Sequence, residues 1–162
     1  MPATQLQITS ILERFNGLAP DGYAIGLNIQ YTTPRFMFQT YPKAWLDHYS
    51  RNGLLMSDPM VAWGFEHAGT ARWSELSDPA GVMQKAAEFG LSYGVVITEV
   101  SEDDRSICGF ARKSAEFTDA EIADLAKCVS ALHAITADMS RLDPTTVDQL
   151  KKMSIMVTHP GS

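Results

Sequence analysis

The sequence predicts an α+β domain in which helices are layered against antiparallel strands. Two observations support this class. Apolar residues recur at helical spacing towards both ends of the chain, over residues 3–16 and about 119–140. Between these stretches lie short runs of alternating or β-branched residues, separated by turn signals. Strands in the middle of a chain, with helices before, between and after them, are typical of a layered α+β domain.

The first elements are a helix and a hairpin. The helix covers residues 3–16 and is expected to end at an Asn-Gly pair. A strand follows over residues 23–30, and a second one returns over residues 35–40 with Phe36 and Phe38 on one face. The alternation in the first strand predicts two faces, with Ala24, Gly26 and Asn28 on one and Ile25, Leu27 and Ile29 on the other.

Short helices are predicted in the middle of the chain. Proline fits the first turn of a helix, so we expect one helix from Pro42 and another from Pro59 to about residue 65. A short extended piece follows over residues 70–73. A third helix is expected from Asp78 to just before Gly90.

The last elements are two strands and a long helix. Strands over residues 93–99 and 106–112 flank a charged turn. Thr118 and Glu121 have the spacing of a capping box, which predicts the start of a helix that runs to about Ser140. A helix of this length would serve a dimer contact as well as the core.

The composition is that of an ordinary soluble domain. The chain has 162 residues, 45% apolar and 20% charged, and is long enough to bury one core without a metal or a disulfide. A formal charge of −6 argues against a nucleic-acid surface. Cys108 and Cys128 have no close spacing partner and are interpreted as reduced thiols. No long apolar run or leader pattern is present, so we expect a cytoplasmic protein without a membrane segment.

A cluster of aromatic residues precedes an Asp-Pro pair and is the candidate binding site. Tyr41, Trp45 and Tyr49 recur every four residues, which would place three rings on one helix face. Asp58 follows nine residues after the last ring. Rings with polar edges and one carboxylate suit a small-molecule cavity. Two other interpretations stay open, because an aromatic stripe often forms core and an Asp before Pro often caps a helix.

Four patterns follow one another in the chain: Tyr-Pro-x-x-Trp-x-x-x-Tyr, then Asp-Pro, then Trp73, then Gly-Leu-x-x-Gly over residues 90–94. In this order they resemble the ligand-binding domain of LuxR-type quorum-sensing regulators. The resemblance runs from about residue 10 to about residue 138. It implies an α/β/α sandwich with a central five-stranded antiparallel sheet. It also implies a ligand, an N-acyl-homoserine lactone, held between the sheet and one helical layer, with no other cofactor.

The resemblance assigns roles to five residues. The residue at Trp45 donates its indole N–H to the lactone carbonyl in this family, the one at Asp58 accepts from the ligand amide, and the one at Tyr41 donates to the acyl carbonyl. The residues at Tyr49 and Trp73 pack against the ligand without hydrogen bonds. These roles match the chemistry of the side chains, since Trp has only a donor and ionised Asp only acceptors.

The sequence departs from the family pattern at several positions. Leu54 replaces a frequent aromatic residue and Thr98 a frequent proline. The late strand, residues 107–111, has no Ser or Thr to face the acyl carbonyls, which puts recognition of a 3-oxo substituent in doubt.

The C-terminal part of the chain departs further. We expect an autoinducer-binding domain over residues 1–140 and a tail over residues 141–162 that resembles the start of a truncated helix-turn-helix domain. Direct DNA binding by this chain is therefore not expected. The expected partners are the lactone and either a second copy or a full-length regulator in a dimer. The contact would be the last helix, about residues 119–140.

Three other functions stay open. An enzyme is the first, but the four histidines are scattered and no nucleophile elbow, metal motif or phosphate loop is present. His48 is expected on a solvated surface. A haem or flavin sensor is the second. The third is a ligand-independent dimerisation partner that modulates a full-length regulator, against which the polar residues of the candidate site argue.

Overall fold

The computed structural model describes residues 2–29, 34, 36–102 and 104–137, and the isolated positions 144, 145, 147, 148, 151 and 152. Two single-turn 3-10 helices cover Leu54–Ser57 and Trp73–Glu75. The other elements, in chain order, are α1 (Pro2–Leu18), β1 (Gly22–Ile29), β2 (Phe36–Gln39), α2 (Lys43–Arg51), α3 (Pro59–Glu66), β3 (Gly69–Arg72), α4 (Val82–Ala87), β4 (Tyr93–Ser101), β5 (Asp104–Arg112) and α5 (Asp119–Ala137).

A five-stranded antiparallel sheet in the order β2-β1-β5-β4-β3 forms the centre of the molecule. The longest ladder joins β4 to β5, from the pair Tyr93 and Arg112 to the pair Ser101 and Asp104. β5 also pairs with β1, where Ala24 lies opposite Gly109. The predicted fold class, a layered α+β domain with a five-stranded antiparallel sheet, is confirmed.

Two separate sets of apolar side chains cover the two faces of the sheet. On one face α1 and α5 pack against β1, β4 and β5, with Phe15, Phe110 and Leu132 among the fully buried residues. On the other face, α2 and α4 contribute to a smaller cluster that contains the buried rings of Trp45 and Trp73. The arrangement is an α/β/α sandwich, as the resemblance implied.

The predicted alternation in β1 is wrong at its end. The register of β1 against β5 shifts between Gly26 and Ile29, which marks a β-bulge. Asn28 adopts φ +51° there, and its side chain donates to Thr136 of α5 rather than pointing to the opposite face. Ile29 therefore lies on the face of Ala24 and Gly26, not with Ile25 and Leu27.

Several element ends differ from the predictions. α1 continues to Leu18, past the Asn-Gly pair. Pro42 is the residue before α2 rather than its first residue. Asp78 lies four residues before α4, yet its carboxylate accepts from the N–H groups of Val82 and Met83 and so caps the helix across the turn.

The capping box that starts α5 is confirmed. The Glu121 carboxylate accepts from the N–H of Thr118 at 2.9 Å, and the Glu121 N–H donates to the Thr118 hydroxyl at 3.1 Å. The structure follows α5 to Ala137. The predicted end of the helix at Ser140 falls outside the described residues, as do most positions of the predicted tail, residues 141–162.

Candidate ligand-binding site

A cavity of about 210 Å³ lies between the sheet and the layer of α2, α3 and α4. Small residues form its floor, with Ala24 and Gly26 on β1 and Gly109 on β5. Met60 lies directly over Gly109, where a β-carbon would come within 2.5 Å of the Met60 sulfur. The walls are mostly apolar, and the polar side chains among them converge at one end. This is the general form of a small-molecule site.

The aromatic residues predicted from the sequence meet at the polar end of the cavity. Trp45 and Tyr49 lie one turn apart on α2, with ring centroids 5.6 Å apart in an edge-to-face arrangement. Tyr41 precedes the helix, and its ring packs on Gly22 of β1. All three line the cavity, and so do Asp58 and Trp73. The structure thus brings together all five candidate residues.

Asp58 is both a helix cap and a wall of the cavity. One carboxylate oxygen accepts from the Met60 N–H at 2.9 Å, which caps α3. The other oxygen accepts from the Tyr49 hydroxyl at 2.8 Å. Only 7% of the residue is exposed. Burial raises the pKa of Asp58 above its usual value, and hydrogen bonds from Tyr49 and from the N–H groups of Met60 and Val61 oppose that shift.

Tyr49 therefore has a contact that the sequence did not indicate. Its predicted role is to pack against the ligand, and within the protein its hydroxyl also donates to Asp58 at 2.8 Å. A carboxylate has about four lone-pair positions, and Tyr49, Met60 and the backbone N–H of Val61 occupy at most three of them. Asp58 thus keeps acceptor capacity for a donor inside the cavity.

Two buried donors at this end have no partner among the described residues. They are the Tyr41 hydroxyl and the indole N–H of Trp73. Burial, and then the charge of Asp58, raise the pKa of Tyr41, so the hydroxyl keeps its proton. A buried polar group without a partner costs free energy, which a ligand acceptor would recover. The site can therefore accept one hydrogen bond from a ligand and donate others to it.

Trp73 explains the second glycine of the Gly-Leu-x-x-Gly pattern. Its indole packs directly on the backbone of Gly94, leaving no room there for a β-carbon. Only glycine lets the ring lie this close to β4. The glycine thus positions a wall of the cavity.

Gly94→Ala is expected to lower the free energy of unfolding by about 2 kcal/mol, because the new methyl group must displace the Trp73 ring. Urea denaturation measures this loss. Gly17→Ala is the matched control, since a β-carbon at Gly17 of α1 would meet nothing within 4 Å. Equal stability of the two variants would contradict the packing described here.

Other residues of the site were missed or misplaced by the sequence. His48 was expected on a solvated surface, but it is half-buried and its ring stacks on Trp45, with centroids 5.9 Å apart. Phe89 packs against both rings. Helical spacing alone does not show this contact, because Phe89 is distant in the sequence and lies in the turn after α4.

Other kinds of site find no support in the described residues. No group of three His, Cys, Asp or Glu side chains in the described ranges could hold a metal ion. Cys108 is fully buried, and burial raises the pKa of its thiol. Among the helices that the structure describes, none combines the length and the apolar character needed to cross a membrane.

Residues 11–139 match the family model of the autoinducer binding domain. The transcriptional activator protein SolR of Ralstonia nicotianae is 28% identical over 123 residues, which are 74% of this chain and 52% of SolR. The chain thus spans about half the length of this relative.

Solved structures show the same fold. The N-acylhomoserine lactone dependent LuxR family transcription factor CepR2 of Burkholderia cenocepacia aligns with a TM-score of 0.55 and 15% identity, over 83% of this chain and 93% of that chain. SdiA in complex with octanoyl-rac-glycerol aligns with a TM-score of 0.60 and 19% identity, over 87% of this chain and 63% of that chain.

Proposed function

The chain belongs to the autoinducer-binding domain family of LuxR-type transcriptional regulators, and we propose that its cavity binds an N-acyl-homoserine lactone. The observation that carries the proposal is that one mostly apolar cavity contains both a buried acceptor, Asp58, and a buried donor without a partner in the described part of the chain, the Tyr41 hydroxyl. A lactone of this class has one amide N–H, two or more carbonyls and an apolar tail. Each of these finds a matching group in the cavity.

In this proposal the polar groups of the ligand divide among three residues. Asp58 accepts from the amide N–H, Tyr41 donates to the acyl carbonyl, and Trp45 donates its indole N–H to the lactone carbonyl. Tyr49 acts through Asp58 by holding the carboxylate in place. Trp73 supplies apolar area beside the ring, and its indole N–H, which has no partner within the described residues, is a further donor for a ligand oxygen. CepR2, a lactone-dependent regulator, shares this fold, and SdiA with the same fold holds an acyl glycerol, so the polar groups of the cavity carry the choice of ligand class.

The domain functions in quorum sensing and transcription regulation, the processes of its family. Its family is one of regulators and receptors rather than enzymes. We further propose that it acts in the cytoplasm as a dimer, either with itself or with a full-length regulator, through α5. DNA contact would then be made outside residues 1–140. Sedimentation velocity with and without lactone tests the dimer.

Thermal unfolding tests the ligand class directly. At a lactone concentration of about one hundred times Kd, binding adds about 2.7 kcal/mol, which for a chain of this length raises Tm by roughly 5–10 °C. A panel of acyl-homoserine lactones should give this rise, and octanoyl glycerol, the ligand seen in SdiA, serves as the comparison. The lactone proposal fails if ligand-free, folded protein shows no shift with any lactone, or a shift with the acyl glycerol only.

A further inference from the structure

The β-bulge in β1 turns one aliphatic side chain into the cavity. Without the bulge Ile29 would point to the layer of α1 and α5, as Ile25 and Leu27 do. With the bulge it lines the cavity. Its terminal carbon lies 3.6 Å from the position of a β-carbon on Gly26, and Pro34 lies 3.7 Å from the same position. These two side chains fold over the glycine and close this end of the floor.

The opposite end of the cavity is closed by aromatic rings. The Tyr41 ring packs on Gly22 and the Trp73 ring on Gly94. The Tyr41 oxygen lies 3.1 Å from the β-carbon position of Gly109, which pairs with Ala24 in the sheet. A carbonyl bound by Tyr41 would therefore lie level with Ala24. From there the open direction runs along β1 towards Gly26 and Ile29.

We propose that Ile29 is the end wall that sets the length of the acyl chain accepted by this cavity. This inference rests on the proposed function. Ala24 and Gly26 are two strand residues apart on one face, a separation of about 7 Å. That distance suits an acyl chain of about six to eight carbons.

The position of Ile29 is fixed from the other side of the sheet. The Asn28 N–H donates to the Ser106 hydroxyl at 2.9 Å, and the Asn28 side-chain amide donates to the Thr136 hydroxyl at 2.7 Å. The Ser106 oxygen also lies 2.6 Å from Nδ1 of His133. These buried contacts hold Asn28 in its left-handed conformation, which asparagine tolerates better than most residues. Asn28 is a positioning residue for Ile29.

The floor beside the Tyr41 hydroxyl is apolar where β5 forms it. Gly109 offers no side chain there, and the Met60 thioether, a weak acceptor without a donor, fills the space above it. The side-chain amide at this level comes from β2, where Gln39 pairs with Ala24 and also lines the cavity.

The test measures Kd for unsubstituted acyl-homoserine lactones of roughly four to twelve carbons with wild type and Ile29→Ala. The shorter side chain should move the preferred length up by about two carbons and improve binding of the longer lactones about tenfold relative to the shorter ones. Ile29→Val and Ile25→Val form a matched pair. Each variant removes one methylene from β1. Ile29→Val removes it on the cavity face, and Ile25→Val removes it on the opposite face. Only Ile29→Val should change the order of preference.

The outcomes separate the two proposals. If the wild type binds lactones but Ile29→Ala keeps the same order of preference, the end-wall inference is wrong while the proposed function stands. A wild-type preference for ten or more carbons, or an equal effect of the two Ile→Val changes, also overturns the inference. If the wild type binds no lactone, the proposed function fails, and the inference fails with it.

Discussion

Replacing Asp58 with alanine is expected to weaken the binding of acyl-homoserine lactones by roughly ten- to a hundredfold. A hydrogen bond to a charged group contributes about 1.5–3 kcal/mol, and each 1.4 kcal/mol corresponds to about tenfold in Kd. The change also removes the partner of the Tyr49 hydroxyl, which donates to Asp58 at 2.8 Å. That hydroxyl would then be left unpaired in the wall of the cavity, which adds to the loss. Isothermal titration calorimetry measures the effect.

The control for this variant must account for the second role of Asp58 as a helix cap. Its loss costs α3 about 1 kcal/mol, so a fall in stability alone would lower apparent binding. Asp78→Ala is the matched control, because Asp78 also precedes a proline and caps α4, but does not line the cavity. It should lose similar stability with Kd changed by less than about threefold. Asp58→Asn, which keeps the shape and one acceptor, should fall between the two.

Undiminished lactone binding in Asp58→Ala would show that the assigned polar contact is wrong. An equal loss in Asp58→Ala and Asp78→Ala would instead show that the effect comes from helix capping. Only a selective loss in the Asp58 variants supports a carboxylate that contacts the ligand.

Much of the fold follows from local patterns in the sequence. The Thr118–Glu121 capping box and the alternation of Phe36 and Phe38 depend on near neighbours, and both have the expected structure. The bulge at Asn28 could not be predicted, because it depends on Ser106 and Thr136, which lie about eighty and more than one hundred residues away. Because of the bulge, the Ile29 side chain lies on the opposite face of the sheet from the one that simple alternation predicts.

The candidate site was predictable in composition but not in its contacts. The family resemblance, which rests on the spacing of Trp45 and Tyr49 and on the Asp-Pro pair, named five candidate residues. All five line one cavity in the structure. From the sequence, Asp58 is interpreted as either a helix cap or a ligand contact. In the structure it caps α3 and also lines the cavity. A carboxylate has enough lone pairs for both roles. The sequence alone does not show how many of these lone pairs are used within the protein.

Arg112→Ala is expected to lower the free energy of unfolding by about 3 kcal/mol, because one guanidinium ties several elements together. Arg112 ends β5 and makes two hydrogen bonds to the Glu121 carboxylate, at 2.7 and 2.9 Å. It also donates to the carbonyls of Ala115 and Glu116 and lies 4.2 Å from the centre of the Phe117 ring. Its side chain is only 13% exposed. Urea denaturation gives the change in stability.

Arg14→Ala is the matched control for this loss. Arg14 also pairs with a carboxylate, that of Asp124, but its side chain is 60% exposed, and such a pair contributes at most about 1 kcal/mol. Equal losses in the two variants would contradict the role given to Arg112.

The dependence of stability on pH gives a second readout for Arg112. Its hydrogen bonds lower the pKa of Glu121 to about 2 in the folded chain, from about 4.5. A carboxyl group with a lowered pKa stabilises the fold above its unfolded value, and that contribution is lost as pH falls from 4.5 towards 2. Arg112→Ala should therefore flatten the stability curve in this window, whereas Arg14→Ala should leave its slope there unchanged. A curve as steep in Arg112→Ala as in wild type would show that Glu121 owes its low pKa to the Thr118 capping contacts instead.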